Sequence, residues 1–277
     1  AHAHHRILFH EDITGKEITS HLLNAVKKLK NVRMYEYTTL LDILCDGSKC
    51  CGGIIRWPDG REEQVEADYV ILATGGIGGT YKHSTNFKHL TGDGVEIARR
   101  HNIELKNLDY VQIHPTTLYS DNKEERSFLI SESVRGEGAR LYDKNMNRFV
   151  DELLPRDLLT QEIYKQMEKD GTDFVWEDLR TIPRDELISH FPNIIEHCSQ
   201  AGYDVFHECI PIVPAQHYFM GGIKVNHNSK TSMDHLYAVG ETAWNGVHGK
   251  NRLASNSLLE SLVFAKRAAK EIAGERR

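Results

Sequence analysis

Apolar residues near the start of the chain recur at helical spacing. Ile18, Leu22, Val26 and Leu29 follow Thr14-Gly15-Lys16-Glu17, a capping-box pattern, and predict a helix over residues 16–30. The period then shortens. Residues 32–38, 40–45 and 53–57 read as strands, with Pro58-Asp59-Gly60 as a hairpin turn. Residues 69–73 form a continuous apolar run of strand length, which reads as a fully buried strand. That run enters Thr74-Gly75-Gly76-Ile77-Gly78-Gly79, where glycines let another group approach the backbone closely. A short helix is expected over residues 94–101, another after Pro155 with Leu158, Leu159, Ile163 and Met167, and a third after Pro183. Residues 235–239 read as a strand leading into Gly240-Glu241. A second capping box, Ser257-Leu258-Leu259-Glu260, then opens a helix carrying Leu262, Val263, Ala269 and Ile272. Between about Leu108 and Tyr218 the pattern turns to polar loops and mixed elements, as in an inserted α+β module.

Composition narrows the function classes. The 277 residues suffice for one large domain or two ordinary ones, and 40% hydrophobic with 27% charged content is that of a globular chain. No apolar run approaches the roughly 20 residues of a membrane span, and the first ten residues lack a signal peptide's apolar stretch. The formal net charge is -6 without a basic block, which argues against a nucleic-acid partner. Cys45, Cys50 and Cys51 cluster while Cys198 and Cys209 lie far off. This odd count without a framework suggests reduced thiols in a cytosolic protein and no zinc site.

Several short motifs each admit two readings. Ala73-Thr74-Gly75-Gly76 is packing punctuation or a cofactor turn, and Thr91-Gly92-Asp93-Gly94 is a turn with Asp93 as N-cap or a loop beside a cofactor. His114 in Gln112-Ile113-His114-Pro115-Thr116 and His217 in Val213-Pro214-Ala215-Gln216-His217-Tyr218 are structural or catalytic. Arg156, after Pro155, makes a surface salt bridge with Asp157 or Glu152, or belongs to a site. His2, His4 and His5 offer metal-ligand spacing. The run from His248 to Glu260 places Lys250 and Arg252 directly before a helix start, whose outward amides favour negative charge such as that of a reduced flavin.

The order of these motifs, with Ser131-Glu132-Ser133 and Arg135-Gly136-Glu137-Gly138 between them, resembles the flavoprotein family containing succinate dehydrogenase, fumarate reductase and L-aspartate oxidase. Ala254-Ser255-Asn256-Ser257-Leu258-Leu259-Glu260 and Val213-Pro214-Ala215 before His217-Tyr218 resemble the L-aspartate oxidase branch most. The resemblance implies an α/β FAD-binding domain over residues 1–107 and 220–277, with a capping domain inserted at 108–219. The FAD domain would be partial, because no G-x-G-x-x-G dinucleotide fingerprint follows a strand; the chain resembles an internal piece of such an enzyme.

The implied reaction is oxidation of L-aspartate to iminoaspartate with electrons passed to oxygen or fumarate, the first step of quinolinate and NAD synthesis. A soluble fumarate reductase or succinate dehydrogenase flavoprotein is the alternative. His114, His217 and Arg252 would hold the substrate carboxylates, Ser131 and Glu132 would line the pocket, and Arg156 would serve the proton at the reacting carbon. Ala73, Thr74, Gly75, Asp93, Glu241, Asn256, Ser257 and Leu258 would contact FAD. The His-rich start resembles a family segment on the flavin's substrate side, which favours that role over metal binding. A small dicarboxylate would be the substrate and quinolinate synthase a partner, in the cytoplasm.

Overall fold

The computed structural model describes residues 7–11, 13–122 and 126–275 and separates them into two compact units. His2, His4 and His5 lie outside the described residues.

Helix α1 (Thr14–Val26) ends short of the expected boundary and buries none of its residues. Its capping box does not form. Thr14 sits in the helix and accepts the His10 N–H at 3.0 Å, while Glu17 pairs with His21 at 2.9 Å. Residues 32–38 are not a strand: Tyr37 has φ 55°, a left-handed conformation that breaks an extended run, and Val32, Met34 and Tyr35 are exposed.

The first unit takes the described residues up to Asn24, Gly78–His89 and Gln112–His217. The other comprises Ala25–Ile77, Leu90–Val111 and the chain from Tyr218 onward. In the latter, β1 (Thr39–Asp46), β2 (Lys49–Arg56) and β3 (Glu62–Glu66) form an antiparallel sheet, and Gly60 with φ 85° makes the expected β2–β3 turn. Strand β4 (Val70–Leu72) follows, then α2 (Asp93–Arg100) and β5 (Leu105–Lys106).

The first unit's elements come next in the chain: β6 (Val111–Leu118), α3 (Glu132–Gly136), β7 (Arg140–Tyr142), α4 (Arg156–Asp170), β8 (Val175–Asp178), α5 (Arg184–His190), α6 (Pro192–Gln200) and β9 (Ile210–Phe219). Its sheet has the order β6-β9-β8-β7. Leu141, Leu159, Ile163, Leu187, Ile194 and Ile212 form its core; of the α4 residues that the spacing marks, Leu159, Ile163 and Met167 face inward, while Leu158 is exposed.

The chain then runs through β10 (Gly222–Lys224), β11 (Leu236–Ala238), β12 (Ala243–Trp244) and α7 (Asn256–Glu275). β11 pairs in parallel with β4, and β12-β10-β5 is a third small sheet. Leu72, Ile97, Ile223 and Leu236 anchor this unit's core. The expected full burial of the strand at 69–73 is wrong: Ile71 is 46% exposed, because β4 pairs among the described residues with β11 alone and alternate side chains leave the packed face. The capping box at Ser257 is also absent. Ser257 lies inside α7, and Glu260 accepts the Asn245 side-chain amide at 2.5 Å instead of reaching back.

Candidate active site

Two side-chain constellations emerge, one in each unit. In the first, β6 and β9 are sheet neighbours and bring two imidazoles edge to face. The His114 and His217 ring centroids are 5.2 Å apart at 69°. His114 is 1% exposed, and burial, reinforced by the charge of Arg156, pushes its pKa well below the usual value, so its ring is neutral. Its Nδ1 lies 3.0 Å from the Thr116 carbonyl and 3.2 Å from the Thr116 nitrogen, while His217 Nδ1 lies 2.7 Å from Thr85 Oγ1. Pro115 holds the backbone of His114 extended, which fits its place within β6.

Arg156 opens α4, and its side chain is 10% exposed. Glu152 is not the partner that sequence proximity suggests. Arg156 Nε donates to Glu132 Oε2 at 2.6 Å, and Nη1 donates to Gln112 Oε1 at 3.1 Å. Glu152 instead accepts from Arg148 at 2.7 Å and from the Leu141 N–H at 2.9 Å. Ser131 is the N-cap of α3 and accepts the Ser133 N–H at 3.2 Å. Glu132 begins that helix. Burial would raise its pKa, but the Arg156 charge and hydrogen bond and the Arg135 charge outweigh this and hold it below the usual range. The result is an ionised carboxylate on a nearly dry guanidinium, the geometry in which a proton can pass along charged hydrogen-bonded groups.

Gln112 and Arg135 are members that sequence reasoning missed. Gln112 stands two residues before His114 and so shares its strand face; Arg135 stands three after Glu132 on one helix.

The second constellation lies where two parallel strands end, the usual ligand edge of an α/β sheet. After β4, Gly75 takes φ 71°. A Cβ at Gly76 would meet the Glu241 carboxylate, and one at Gly94 the Thr74 hydroxyl, so both glycines sit tight against these side chains. Thr74 Oγ1 donates to Thr242 Oγ1 at 2.9 Å, which ties the β4 and β11 ends together; Ala73 stands between β4 and that turn. Asp93 is not the N-cap of α2. Gly92 is, with φ 87°, and Asp93 accepts from Thr91 Oγ1 at 2.6 Å.

Glu241 accepts the Phe219 N–H at 2.8 Å. Burial raises its pKa to about 7 despite that bond and the Arg252 charge. Arg252 is 5% exposed, with its guanidinium 4.6 Å over the Tyr218 ring and Nη1 3.3 Å from Ser257 Oγ. A cation at the N-terminal end of α7 adds positive charge to the positive end of a helix, an arrangement that an anion relieves. Asn256, Ser257 and Leu258 form the first turn of α7, and Asn256 spends its N–H on the Leu253 carbonyl at 3.3 Å. His248, not among the expected contacts, has both ring nitrogens buried without a hydrogen-bond partner; burial lowers its pKa to about 4, so it too is neutral.

Residues 1–258 match the FAD binding domain family. The chain belongs to that family. L-aspartate oxidase of Clostridium perfringens is 52% identical over 98% of this chain and 62% of its own length. The Nostoc L-aspartate oxidase is 43% identical, over 97% of this chain and 48% of its own length. The chain thus spans about three fifths of the first of these relatives and about half of the second. Among solved structures, an E. coli quinol fumarate reductase is 32% identical, with a TM-score of 0.87 over 96% of this chain and 49% of that one. The family and fold that the motif order implies are therefore correct, and FAD is the family's cofactor.

The residues present fit a flavin nucleotide. The α7 start suits an anionic ring edge, and the orphaned His248 nitrogens have hydrogen bonds to give or accept. Among the described residues no His, Cys, Asp or Glu group of three or more is arranged to hold a metal, and no helix is long and apolar enough to cross a membrane.

Proposed function

We propose that this chain is the substrate-facing part of an FAD-dependent L-aspartate oxidase, which converts L-aspartate to iminoaspartate and passes the electrons to oxygen or fumarate. The Arg156–Glu132 ion pair beside the neutral His114 carries the reading, together with relatives of that name at 43–52% identity. FAD, when bound, supplies the acceptor for the electron pair.

The chain's own groups do the rest. His114 and His217 offer hydrogen bonds to a substrate carboxylate without adding fixed charge, and Arg252 supplies a cation for a carboxylate. Ser131 fixes the start of α3 and thereby the direction of Glu132. Arg156 meets the substrate's exchanging proton and hands it to Glu132. An arginine is a poor base alone, because its intrinsic pKa exceeds 12. The paired Glu132 carboxylate makes the transfer practicable by accepting a guanidinium proton as Arg156 takes the one from the substrate. Thr74, Gly75 and Glu241 take the nucleotide side, with Ala73 and Asp93 beside them, and the α7 start at Asn256, Ser257 and Leu258 takes the ring. The capping domain corresponds to residues 108–219 and the FAD domain to 1–107 and 220–277. The enzyme would work in the cytosol, and its labile imine product would be taken up by quinolinate synthase.

A fumarate reductase or succinate dehydrogenase is the second reading, favoured by the fumarate reductase fold match. Full-length enzyme supplied with L-aspartate should form hydrogen peroxide in air and succinate from fumarate without air, with iminoaspartate in both. Succinate oxidation without aspartate oxidation would transfer the assignment to the second reading.

A further inference from the structure

Strand β1 and the end of α2 carry three side chains that the proposed reaction does not use. Cys45 Sγ lies 3.6 Å from His101 Nδ1, and His101 Nε2 lies 2.8 Å from Asp42 Oδ1. Asp42 is itself fixed, accepting the Ile43 N–H at 2.9 Å with Arg100 Nη2 3.4 Å from the same oxygen. An ionised Asp42 accepts only, so Nε2 carries a hydrogen and Nδ1 presents its lone pair to the thiol. Nucleophile, base and orienting carboxylate therefore stand in the order that activates a thiol.

Cys45 is exposed, whereas Cys50 is buried. The two are direct partners across the β1–β2 ladder. Antiparallel partners sit about 4.5–5.5 Å apart at Cα, within the span a disulfide bridges. The Cys50 N–H is committed to the Asp234 carbonyl at 2.8 Å, and the register shift after Leu44 leaves Cys51 outside the pairing.

We propose that Cys45, His101 and Asp42 form a peroxide-reactive thiol site, with Cys50 as the resolving thiol. Burial and the neighbouring Cys50, Cys51 and Asp42 hold the resting Cys45 protonated, so His101 takes the proton during attack and not before it. The Cys45 sulfur attacks one oxygen of hydrogen peroxide and the O–O bond breaks. The departing hydroxide takes the proton from His101 and leaves as water, with Cys45 a sulfenic acid. The Cys50 sulfur then attacks the Cys45 sulfur, the S–O bond breaks, and the second water leaves with the Cys50 proton. Two thiols are oxidised to one disulfide, and one peroxide is reduced to two waters. Oxygen-linked turnover of the proposed kind would make this oxidant, but the site stands on its own geometry.

The test adds hydrogen peroxide directly to the full-length flavoprotein without substrate, so its outcome does not depend on the proposed reaction. Thiols are blocked, the protein is digested, and cysteine peptides are followed by mass spectrometry. A Cys45–Cys50 bridge should form first and persist in Cys51→Ser. In Cys50→Ser the sulfenic acid should stay at Cys45 and be trapped by dimedone. His101→Gln should slow Cys45 oxidation about tenfold or more relative to Cys51 in the same molecule. Thermal unfolding of each variant reports any loosening of the fold; where a variant melts lower than wild type, Asp42→Asn carries the comparison with the same expected slowing. Unchanged Cys45 oxidation in the His101 and Asp42 variants, or a bridge from Cys45 to a cysteine other than Cys50 in the wild type, would overturn the proposal.

Discussion

Replacing Glu177 by Gln should make the fold more stable at alkaline pH. Glu177 sits on β8 with Leu141 and Ile210 as its strand partners, is wholly buried, and has neither carboxylate oxygen hydrogen-bonded. Burial raises its pKa from 4.5 to about 8; the Arg135 charge pulls it back, and Glu152 pushes it further up. The folded protein therefore holds this proton more tightly than the unfolded chain. Folding takes up protons across the window from 4.5 to about 8, so stability falls as pH rises through it, and the loss is complete above about 8. At about 1.4 kcal/mol per pKa unit, ionised Glu177 costs on the order of 5 kcal/mol, of which about 3 kcal/mol appears between about pH 6 and about pH 9. Gln keeps the size and removes the titration. Urea unfolding of full-length wild type and Glu177→Gln at those two pH values should show the variant gaining about 3 kcal/mol on wild type as pH rises. The same difference between the proteins at both pH values would refute the argument, whatever the absolute cost of a buried amide.

Three further outcomes follow from the two constellations. Arg156→Lys keeps a charge but loses the fork to Glu132 and Gln112, and should lower kcat about a hundredfold or more with flavin content unchanged; a loss below threefold, roughly, would remove Arg156 from proton transfer. Arg252→Leu should abolish turnover with L-aspartate while FAD stays bound, checked by steady-state assay and flavin absorbance; normal turnover would end its carboxylate role. Gly76→Ala drives a methyl into Glu241 and should release FAD on desalting, whereas full retention would contradict the glycine-turn contact.

The helices after Pro155 and Pro183 were legible from the proline that precedes each, with apolar spacing added in the first, and both match the structure in place and kind. Local rules failed where the chain offered the right residue types without the right company. Thr14 with Glu17 and Ser257 with Glu260 have capping-box spacing, yet in each case the carboxylate found a different partner, His21 or Asn245. Apolar residues at 32–38 suggest a strand, but nothing in that spacing shows that Tyr37 turns left-handed. The motif order gave the family, and it singled out His114, His217 and Arg156, which lie in one unit. It could not give the Arg156–Glu132 contact, made across 24 positions, or the Cys45–His101 contact across 56. Such pairs are set by tertiary packing, and a periodic pattern holds no record of them. His248 stood in view within the His248–Glu260 run, but its two unpartnered nitrogens appear only once the loop has folded.

The most direct test of the proposed reaction is anaerobic. Full-length flavoprotein with FAD bound is mixed with L-aspartate, and separately with succinate, while the oxidised-flavin absorbance is followed. Loss of that absorbance with L-aspartate and not with succinate is the predicted result. Loss with succinate alone, or with neither, would contradict aspartate oxidation by this protein.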